Sequence, residues 1–195
     1  RQRSIVEIMD HSSRELQRRI EDLIRYSGMM REVGTSTIAP LNLSNVLDTV
    51  LVRHRLAIEA RNLEIERHLS LPDVYADREQ METLLDNLLS NAVKFSPARG
   101  RIRIEGWLAD EVCHLQICDQ GPGIPKNERT RIFEPFVQGA HQPDTAVKGS
   151  GLGLSIVKEI LRTLGGSIKV EDRARWSVCI KVQWPIPPTY ETKHE

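Results

Sequence analysis

Several features that would point to particular classes of protein are missing from this sequence of 195 residues. Its 27 basic and 27 acidic residues cancel, so no net charge favours nucleic acid as the main partner. No stretch approaches the ~20 consecutive apolar residues that a membrane-spanning helix needs. We therefore expect a protein that binds no nucleic acid and that meets a membrane only through segments outside this sequence.

Cysteine is scarce, and its three positions are spaced too irregularly for a zinc site. Cys113, Cys118 and Cys179 all fall in strand-like runs. This placement predicts buried thiols that serve packing in a reducing compartment. The sequence starts with Arg1 rather than Met and has no signal peptide, so we expect a fragment of a longer protein.

Hydrophobic periodicity divides the chain into a helix, a linker, a mixed domain and a tail. The expected boundaries are 1–33 for the helix, 34–42 for the linker, 43–186 for the domain and 187–195 for the tail. In the first segment Met9, Leu16, Leu23 and Met30 recur every seven residues. A stripe of this kind on a charged helix predicts one half of a helical hairpin.

Within residues 43–186, helical and alternating patterns follow one another, as in an α/β domain. The expected elements are a helix from near Ser44, a strand from Leu63 to Leu69, a short strand at 74–76, a helix capped by Asp77, a hairpin of strands 102–108 and 112–118, a helix from Ser150 to Leu164, and strands at 167–170 and 178–184.

Three polar residues share one face of the helix that Asp77 begins. Asn87, Asn91 and Lys94 are spaced i, i+4 and i+7. An asparagine carbonyl is a suitable oxygen ligand for Mg²⁺, and a lysine offers positive charge to phosphate. The alternative is that these side chains only cap neighbouring loops.

A short acidic and glycine-containing phrase follows the strand that ends at Cys118. Asp119 can accept a hydrogen bond from an amine such as that of adenine. Gly121 and Gly123 let the backbone approach a flat ring closely. An ordinary strand-ending turn is the alternative reading of this phrase taken alone.

Three glycines, Gly149, Gly151 and Gly153, open the helix that ends near Leu164. Backbone amides at a helix N-terminus favour phosphate, and glycines leave room for it. A dinucleotide-binding fold requires the spacing G-x-G-x-x-G after an early strand, and the spacing here is G-x-G-x-G. The phosphate-loop signature G-x-x-x-x-G-K-[ST] is also absent.

Together and in this order, the phrases resemble the nucleotide site of sensor histidine kinases and of their relatives in the superfamily that includes DNA gyrase and MutL. The first resembles the N box, the second and third the two glycine boxes, and residues 131–136 the F box. The resemblance covers about residues 41–185. It implies a two-layer α/β sandwich, with a mixed sheet covered on one face by three helices and preceded by a long N-terminal helix.

The resemblance also implies the ligands, ATP and Mg²⁺, and the residues that hold them. Asn91 would bind Mg²⁺, Lys94 the phosphates, and Asp119 the adenine amino group. A mobile lid is expected over residues 137–148. The implied ATP-binding residues are Asn87, Asn91, Lys94, Phe95, Asp119, Gly121, Gly123, Ile124, Phe133, Lys148, Gly149, Gly151, Leu152, Gly153 and Leu154.

The position of Asn87 separates the possible activities. Gyrase and MutL carry a glutamate there as general base for water, and an amide cannot take that proton. The resemblance therefore implies phosphotransfer to a histidine, which lies outside this chain because His11 lacks the expected neighbouring acid and proline. A silent regulatory module and an anti-sigma-type serine kinase remain as alternatives.

The resemblance implies that residues 1–33 are the second helix of a dimerisation and phosphoacceptor hairpin. The implied partners are this hairpin, a second protomer and a response regulator receiver domain. The implied location is the cytoplasmic portion of a membrane-anchored sensor.

Overall fold

A computed structural model describes residues 37–140 and 150–186, and residue 13 as a single further position. The elements are β1 (Ile38–Leu41), α1 (Leu43–Ala60), β2 (Glu64–Ser70), β3 (Val74–Asp77), α2 (Arg78–Phe95), β4 (Arg101–Ala109), β5 (Val112–Asp119), a 3-10 turn (Arg131–Phe133), α3 (Gly153–Thr163), β6 (Ser167–Arg173) and β7 (Trp176–Pro185). The helix predicted for residues 1–33 and the tail predicted for 187–195 lie outside the described residues.

Within this part of the chain, five strands form one sheet in the order β2-β4-β5-β7-β6. Strand β2 runs parallel to β4, and the other neighbours are antiparallel, so the sheet is mixed. Strands β1 and β3 form a separate antiparallel pair. The predicted hairpin is present: β4 and β5 are joined by Asp110 and Glu111, whose φ angles of 51° and 61° suit a tight two-residue turn.

One hydrophobic core lies between the sheet and the three helices. Strand residues that alternate with polar ones supply one side, for example Ile102 and Ile104 around Arg103. The helices supply the other side with the buried residues Val46, Leu47, Val50, Leu84, Leu85, Leu88, Leu89, Ile156, Val157, Ile160 and Leu161. The predicted two-layer α/β sandwich with three helices on one face is therefore confirmed.

Helix α2 follows its prediction closely. Asp77 caps it, since its Oδ1 accepts a hydrogen bond from the backbone N–H of Gln80 at 3.0 Å. The leucines of one face are buried in the core. This burial fixes the rotation of the helix, so the face that carries Asn87, Asn91 and Lys94 is turned away from the core centre.

Three boundaries differ from the predictions. Residues 38–41, expected in a linker, form β1 because each pairs with a residue of β3. Helix α1, predicted to start near Ser44, begins at Leu43, since Asn42 caps it: Asn42 Oδ1 accepts from the N–H of Asn45 at 3.2 Å. Helix α3 begins at Gly153 rather than Ser150, because Gly151 has a φ of 77°, which α-helices do not contain.

The prediction that all three cysteines are free thiols is wrong for two of them. Cys118 of β5 and Cys179 of β7 are joined in a disulfide, with their Cα atoms 4.1 Å apart. They lie directly opposite each other in the register of the two strands, on the sheet face away from the helices. Sequence spacing could not reveal this pairing, because it depends on which strands become neighbours and in which register.

Cys113 agrees with the prediction, since it is free and buried in the helix-side core. Burial raises the pKa of its thiol to about 11. None of the helices in the described part of the chain combines the length and the apolar composition that a membrane span requires.

Candidate functional site

A cleft of about 340 Å³ opens between α2, the end of β5 and the segment that leads into α3. Most of the predicted site residues line it: Asn87, Asn91, Lys94, Phe95, Asp119, Gly123, Ile124, Gly151, Gly153 and Leu154. The three sequence phrases, separated by up to 66 positions, therefore meet at one place.

The polar face of α2 forms one wall of this cleft. The Asn87 amide nitrogen donates to the carbonyl oxygen of Thr83 at 2.8 Å, and the Asn87 side-chain oxygen faces Gly153. Lys94 lies near the C-terminal end of the same wall, where partial burial lowers the pKa of its ammonium group. Its Nζ is 5.4 Å from the centre of the Phe95 ring. The wall thus presents two amides and a half-buried cation.

The carboxyl of Asp119 is buried at the end of β5, and 6% of the residue's surface is exposed. Its Oδ1 accepts a hydrogen bond from the backbone N–H of Gly121 at 2.8 Å. Burial raises the pKa of this carboxyl to about 7, although the Gly121 hydrogen bond acts in the opposite direction. A carboxyl that is fixed in this way can accept a hydrogen bond from a ligand amine.

Gly121 does not line the cleft, but it lies where two segments that line the cleft pack closely against each other. A Cβ atom at this position would lie 2.9 Å from the carbonyl oxygen of Phe95 and 2.8 Å from Asp119 Oδ1. The loop after β5 therefore packs directly on the C-terminal end of α2, and a larger residue would separate them.

The second glycine phrase closes the opposite side. Gly151 has a φ of 77°, and a Cβ there would lie 2.8 Å from the carbonyl carbon of Phe136. The backbone N–H of Phe136 donates to Gly151 O at 3.0 Å. At Gly153, the first residue of α3, a Cβ would lie 2.7 Å from Asn87 Oδ1. The N-terminus of α3 thus rests on the polar face of α2 with no side chain between them.

The remaining predicted residues are placed differently. Phe133 and Leu152 are buried in the packing behind the cleft and do not line it. Lys148 and Gly149 lie outside the described residues. Of the predicted lid, residues 137–140 line the cleft, and 141–148 lie outside the described part of the chain.

Sequence reasoning missed several lining residues, notably Val178 and Ile180 of β7, Ile132 and Ser150. The alternation of apolar and polar residues in 178–184 predicted a half-buried strand, but it did not indicate which strand would pair with it. Since β7 pairs with β5, Val178 lies directly opposite Asp119 and adds an apolar surface beside its carboxyl.

The side chains around the cleft determine how a nucleotide and a metal ion could be held there. The described residues include no group of three or more His, Cys, Asp or Glu side chains that could hold a metal ion. A cation in this cleft would therefore combine an asparagine oxygen with ligands brought by phosphate, an arrangement that suits Mg²⁺. The N-cap residue of α3, Leu152, makes no side-chain capping hydrogen bond, so the backbone N–H groups at this helix N-terminus are suited to phosphate groups.

The chain is similar in sequence and in fold to known proteins. The family model described as "Histidine kinase-, DNA gyrase B-, and HSP90-like ATPase" matches residues 76–188. The chain is 34% identical over 184 residues to "Sensor histidine kinase GlrK" of Escherichia coli (strain K12), covering 94% of this chain and 38% of that protein. The chain thus spans well under half the length of this relative.

Two solved structures are similar in fold and sequence. The first is described as full-length ShkA in complex with AMPPNP, with a TM-score of 0.78, 27% identity, and coverage of 94% of this chain and 38% of that one. The second is a mycobacterial sensor histidine kinase, MprB, with a TM-score of 0.65, 32% identity, and coverage of 76% and 97%. AMPPNP is an analogue of ATP, so a protein with this fold holds an adenine nucleotide.

Proposed function

The chain belongs to the family of histidine kinase-, DNA gyrase B- and HSP90-like ATPases, and we propose that it is the ATP-binding catalytic part of a sensor histidine kinase. The observation that carries the proposal is one cleft with a buried carboxyl at Asp119 and a polar wall of Asn87, Asn91 and Lys94. These groups match the two ends of ATP, an amine-bearing base and a charged phosphate chain.

In this proposal the adenine lies beside Asp119. Its exocyclic amine donates to the Asp119 carboxyl, which the Gly121 N–H already holds in place. Ile124, Val178 and Ile180 supply apolar surface for the flat ring. A buried acceptor that loses its partner is costly, so this contact favours adenine over bases that lack an amine at that position.

The phosphates extend along the α2 wall towards the N-terminus of α3. Asn91 would hold Mg²⁺ together with phosphate oxygens, with Asn87 beside it, and Lys94 would provide a positive charge for the phosphates. Bound Mg²⁺ would neutralise charge that develops on the transferred phosphoryl group. The chain's own contribution is to position the phosphates through the backbone near Gly151 and Gly153 and to exclude water by the packing of α3 on α2.

The acceptor is proposed to be a histidine on a dimerisation hairpin rather than water. Asn87 cannot act as the general base for water, because its amide does not take up a proton at neutral pH. The name of the relative from E. coli, a sensor histidine kinase, supports the same choice. The proposal also includes Mg²⁺ binding, contact with a second protomer, transfer of the phosphoryl group to a response regulator, and a cytoplasmic location. In a reducing cytoplasm the Cys118–Cys179 disulfide would be open, so the crosslink would belong to the oxidised protein.

Calorimetric titration with Mg²⁺ and AMP-PNP tests the binding step. The wild-type chain should bind, and Asn91→Ala should weaken binding about tenfold or more, since it removes a polar contact to a charged ligand. Asn45→Ala is the matched control, since Asn45 is exposed on α1 and does not line the cleft. Absence of binding by the wild type, or equal affinity of Asn91→Ala and wild type, would contradict the proposal.

A further inference from the structure

The ends of α1 and α2 are tied together by one arginine that does not line the cleft. Arg61 is the residue at which α1 ends, and its backbone N–H donates to Ala57 O at 3.3 Å. Its own carbonyl oxygen accepts from the N–H of Arg99 at 2.8 Å. The backbone of Arg61 is therefore anchored on both sides before its side chain makes any contact.

The Arg61 side chain reaches across to the last turn of α2. Its NH1 group donates to the carbonyl oxygen of Lys94 at 3.2 Å, and its NH2 group donates to the carbonyl oxygen of Ser96. Its Nε is buried and has no partner within the described part of the chain. The two NH₂ groups of a guanidinium have a fixed separation, so they hold two carbonyls at a defined spacing, whereas an ammonium is a compact charge without this rigid fork.

These carbonyls belong to the turn that supplies part of the cleft. The last four carbonyls of a helix lack partners within the helix, and a cation near them is favourable. Ser96 is fully buried and closes the helix by donating from its Oγ to Ala92 O at 2.7 Å. Lys94 and Phe95, immediately before it, line the cleft. Fixing the backbone on both sides of Phe95 thus fixes where these two side chains begin.

The Gly121 contact makes the position of this turn critical. The Phe95 carbonyl lies between the two that Arg61 holds, and it packs so closely on Gly121 that no Cβ would fit. Gly121 in turn donates to Asp119. A shift of the C-terminal end of α2 would therefore displace both Lys94 and the buried carboxyl of Asp119.

We propose that Arg61 is a positioning residue for nucleotide binding, because it holds the Lys94 and Ser96 carbonyls and so places Lys94 and Phe95 in the cleft. This inference rests on the proposed function of the cleft. It assigns to Arg61 an effect on affinity that acts through Lys94, without any contact between Arg61 and the ligand.

Calorimetry with Mg²⁺ and AMP-PNP on Arg61→Met, Arg61→Lys and wild type tests this role. Arg61→Met should bind about tenfold more weakly, since small displacements of binding groups are costly. Arg61→Lys should lie between Arg61→Met and wild type. Arg53→Met is the matched control, because Arg53 also reaches from α1 to α2, pairing with Glu82, but neither lines the cleft; it should bind as wild type does.

A double-mutant cycle separates positioning from general stabilisation. If Arg61 acts in part through Lys94, Arg61→Met should cost less affinity in a Lys94→Met background than in wild type, and an equal cost in both backgrounds would contradict this route. A purely structural role would lower the urea midpoint and leave the affinity of the folded protein unchanged, which would overturn the inference. If Arg61→Met does not fold, Arg61→Lys decides: a loss of about threefold or more supports the inference, and wild-type affinity overturns it.

The outcomes also distinguish this inference from the proposed function. If the wild-type chain itself does not bind the nucleotide, the proposed function fails. If it binds and Asn91→Ala weakens it, while folded Arg61→Met binds as wild type does, only the role of Arg61 is wrong.

Discussion

The side-chain oxygen of Asn87 lies 2.7 Å from the position that a Cβ atom on Gly153 would occupy. Real Cβ atoms do not approach that closely, so the glycine is what allows α3 to start against the polar face of α2. Asn87 cannot simply turn aside, because its amide nitrogen is held by the Thr83 carbonyl at 2.8 Å. The contact therefore couples the two helices that we propose to flank the phosphates.

Gly153→Ala is expected to weaken Mg–AMP-PNP binding about tenfold, since the new methyl group must displace either Asn87 or the start of α3. The helix itself should tolerate the change, because alanine is a better helix former than glycine and Gly153 is only the first residue of α3. Titration calorimetry gives the affinity, and urea unfolding gives the stability.

Asn87→Ala provides the matched test of that coupling. With the oxygen removed, Gly153→Ala should cost little more, so the two effects should be strongly non-additive. Additive losses would show that the methyl group disturbs something other than Asn87.

Asp119→Asn is expected to stabilise the folded chain at pH 8. The folded-state pKa of about 7 lies above the ordinary value of 3.8 because burial disfavours the charge. Between these values the folded state binds a proton that the unfolded state has released, so stability falls as pH rises through that window. Asparagine carries no such penalty, and its Oδ1 can still accept from Gly121. The gain at pH 8 should be on the order of 2–4 kcal/mol.

Urea unfolding of wild type and Asp119→Asn at pH 4 and pH 8 measures this effect. The difference between the two proteins should grow with pH, and an equal difference at both would contradict the buried carboxyl as its source. Asp110→Asn, in the exposed hairpin turn, is a control that should keep the wild-type pH dependence. The same Asp119→Asn change should weaken nucleotide binding, since it replaces the acceptor that we propose for the adenine amine with an amide whose oxygen already accepts from Gly121.

How far the sequence predicted the fold depended on how local each feature is. The capping of α2 by Asp77 and the turn at Asp110–Glu111 were predictable, because both depend on residues a few positions apart. The β1 strand was not, because Ile38–Leu41 is extended only by pairing with β3, 35 or so positions later. The disulfide was missed for the same reason, since it depends on the register of β5 with β7.

Prediction of the candidate site from the sequence was limited in the same way. The spacing of Asn87, Asn91 and Lys94 on one helix could be read directly, and the glycine phrases marked where backbone must come close. The pattern did not show that Phe133 and Leu152 pack behind the cleft, or that Val178 and Ile180 line it. An apolar residue looks the same in a sequence whether it faces the core or a ligand. Only the packing of β7 beside β5 distinguishes the two.

Lys94→Met is expected to weaken binding of AMP-PNP much more than binding of adenosine, because only the former carries phosphates. The lysine is partly buried, so the contact should be screened by salt less than one on the open surface. Burial also lowers the pKa of Lys94, so phosphate affinity should start to fall at a less alkaline pH than for an exposed lysine. Equal losses for AMP-PNP and adenosine would contradict a phosphate contact. Lys158→Met, on the exposed side of α3, should affect neither ligand.

Reducing the disulfide between Cys118 and Cys179 is expected to lower the free energy of unfolding by about 2–4 kcal/mol, because the crosslink closes a long loop in the unfolded chain. The two residues are 61 positions apart in sequence. The urea midpoint should therefore fall when a dithiol reductant is added to wild type, and it should not respond in the double variant Cys118→Ala/Cys179→Ala. Cys113→Ala should keep the wild-type response, since Cys113 is free. A thiol titration of the unfolded, unreduced protein decides the premise directly: Cys113 alone should react, and reaction of all three cysteines would contradict the crosslink.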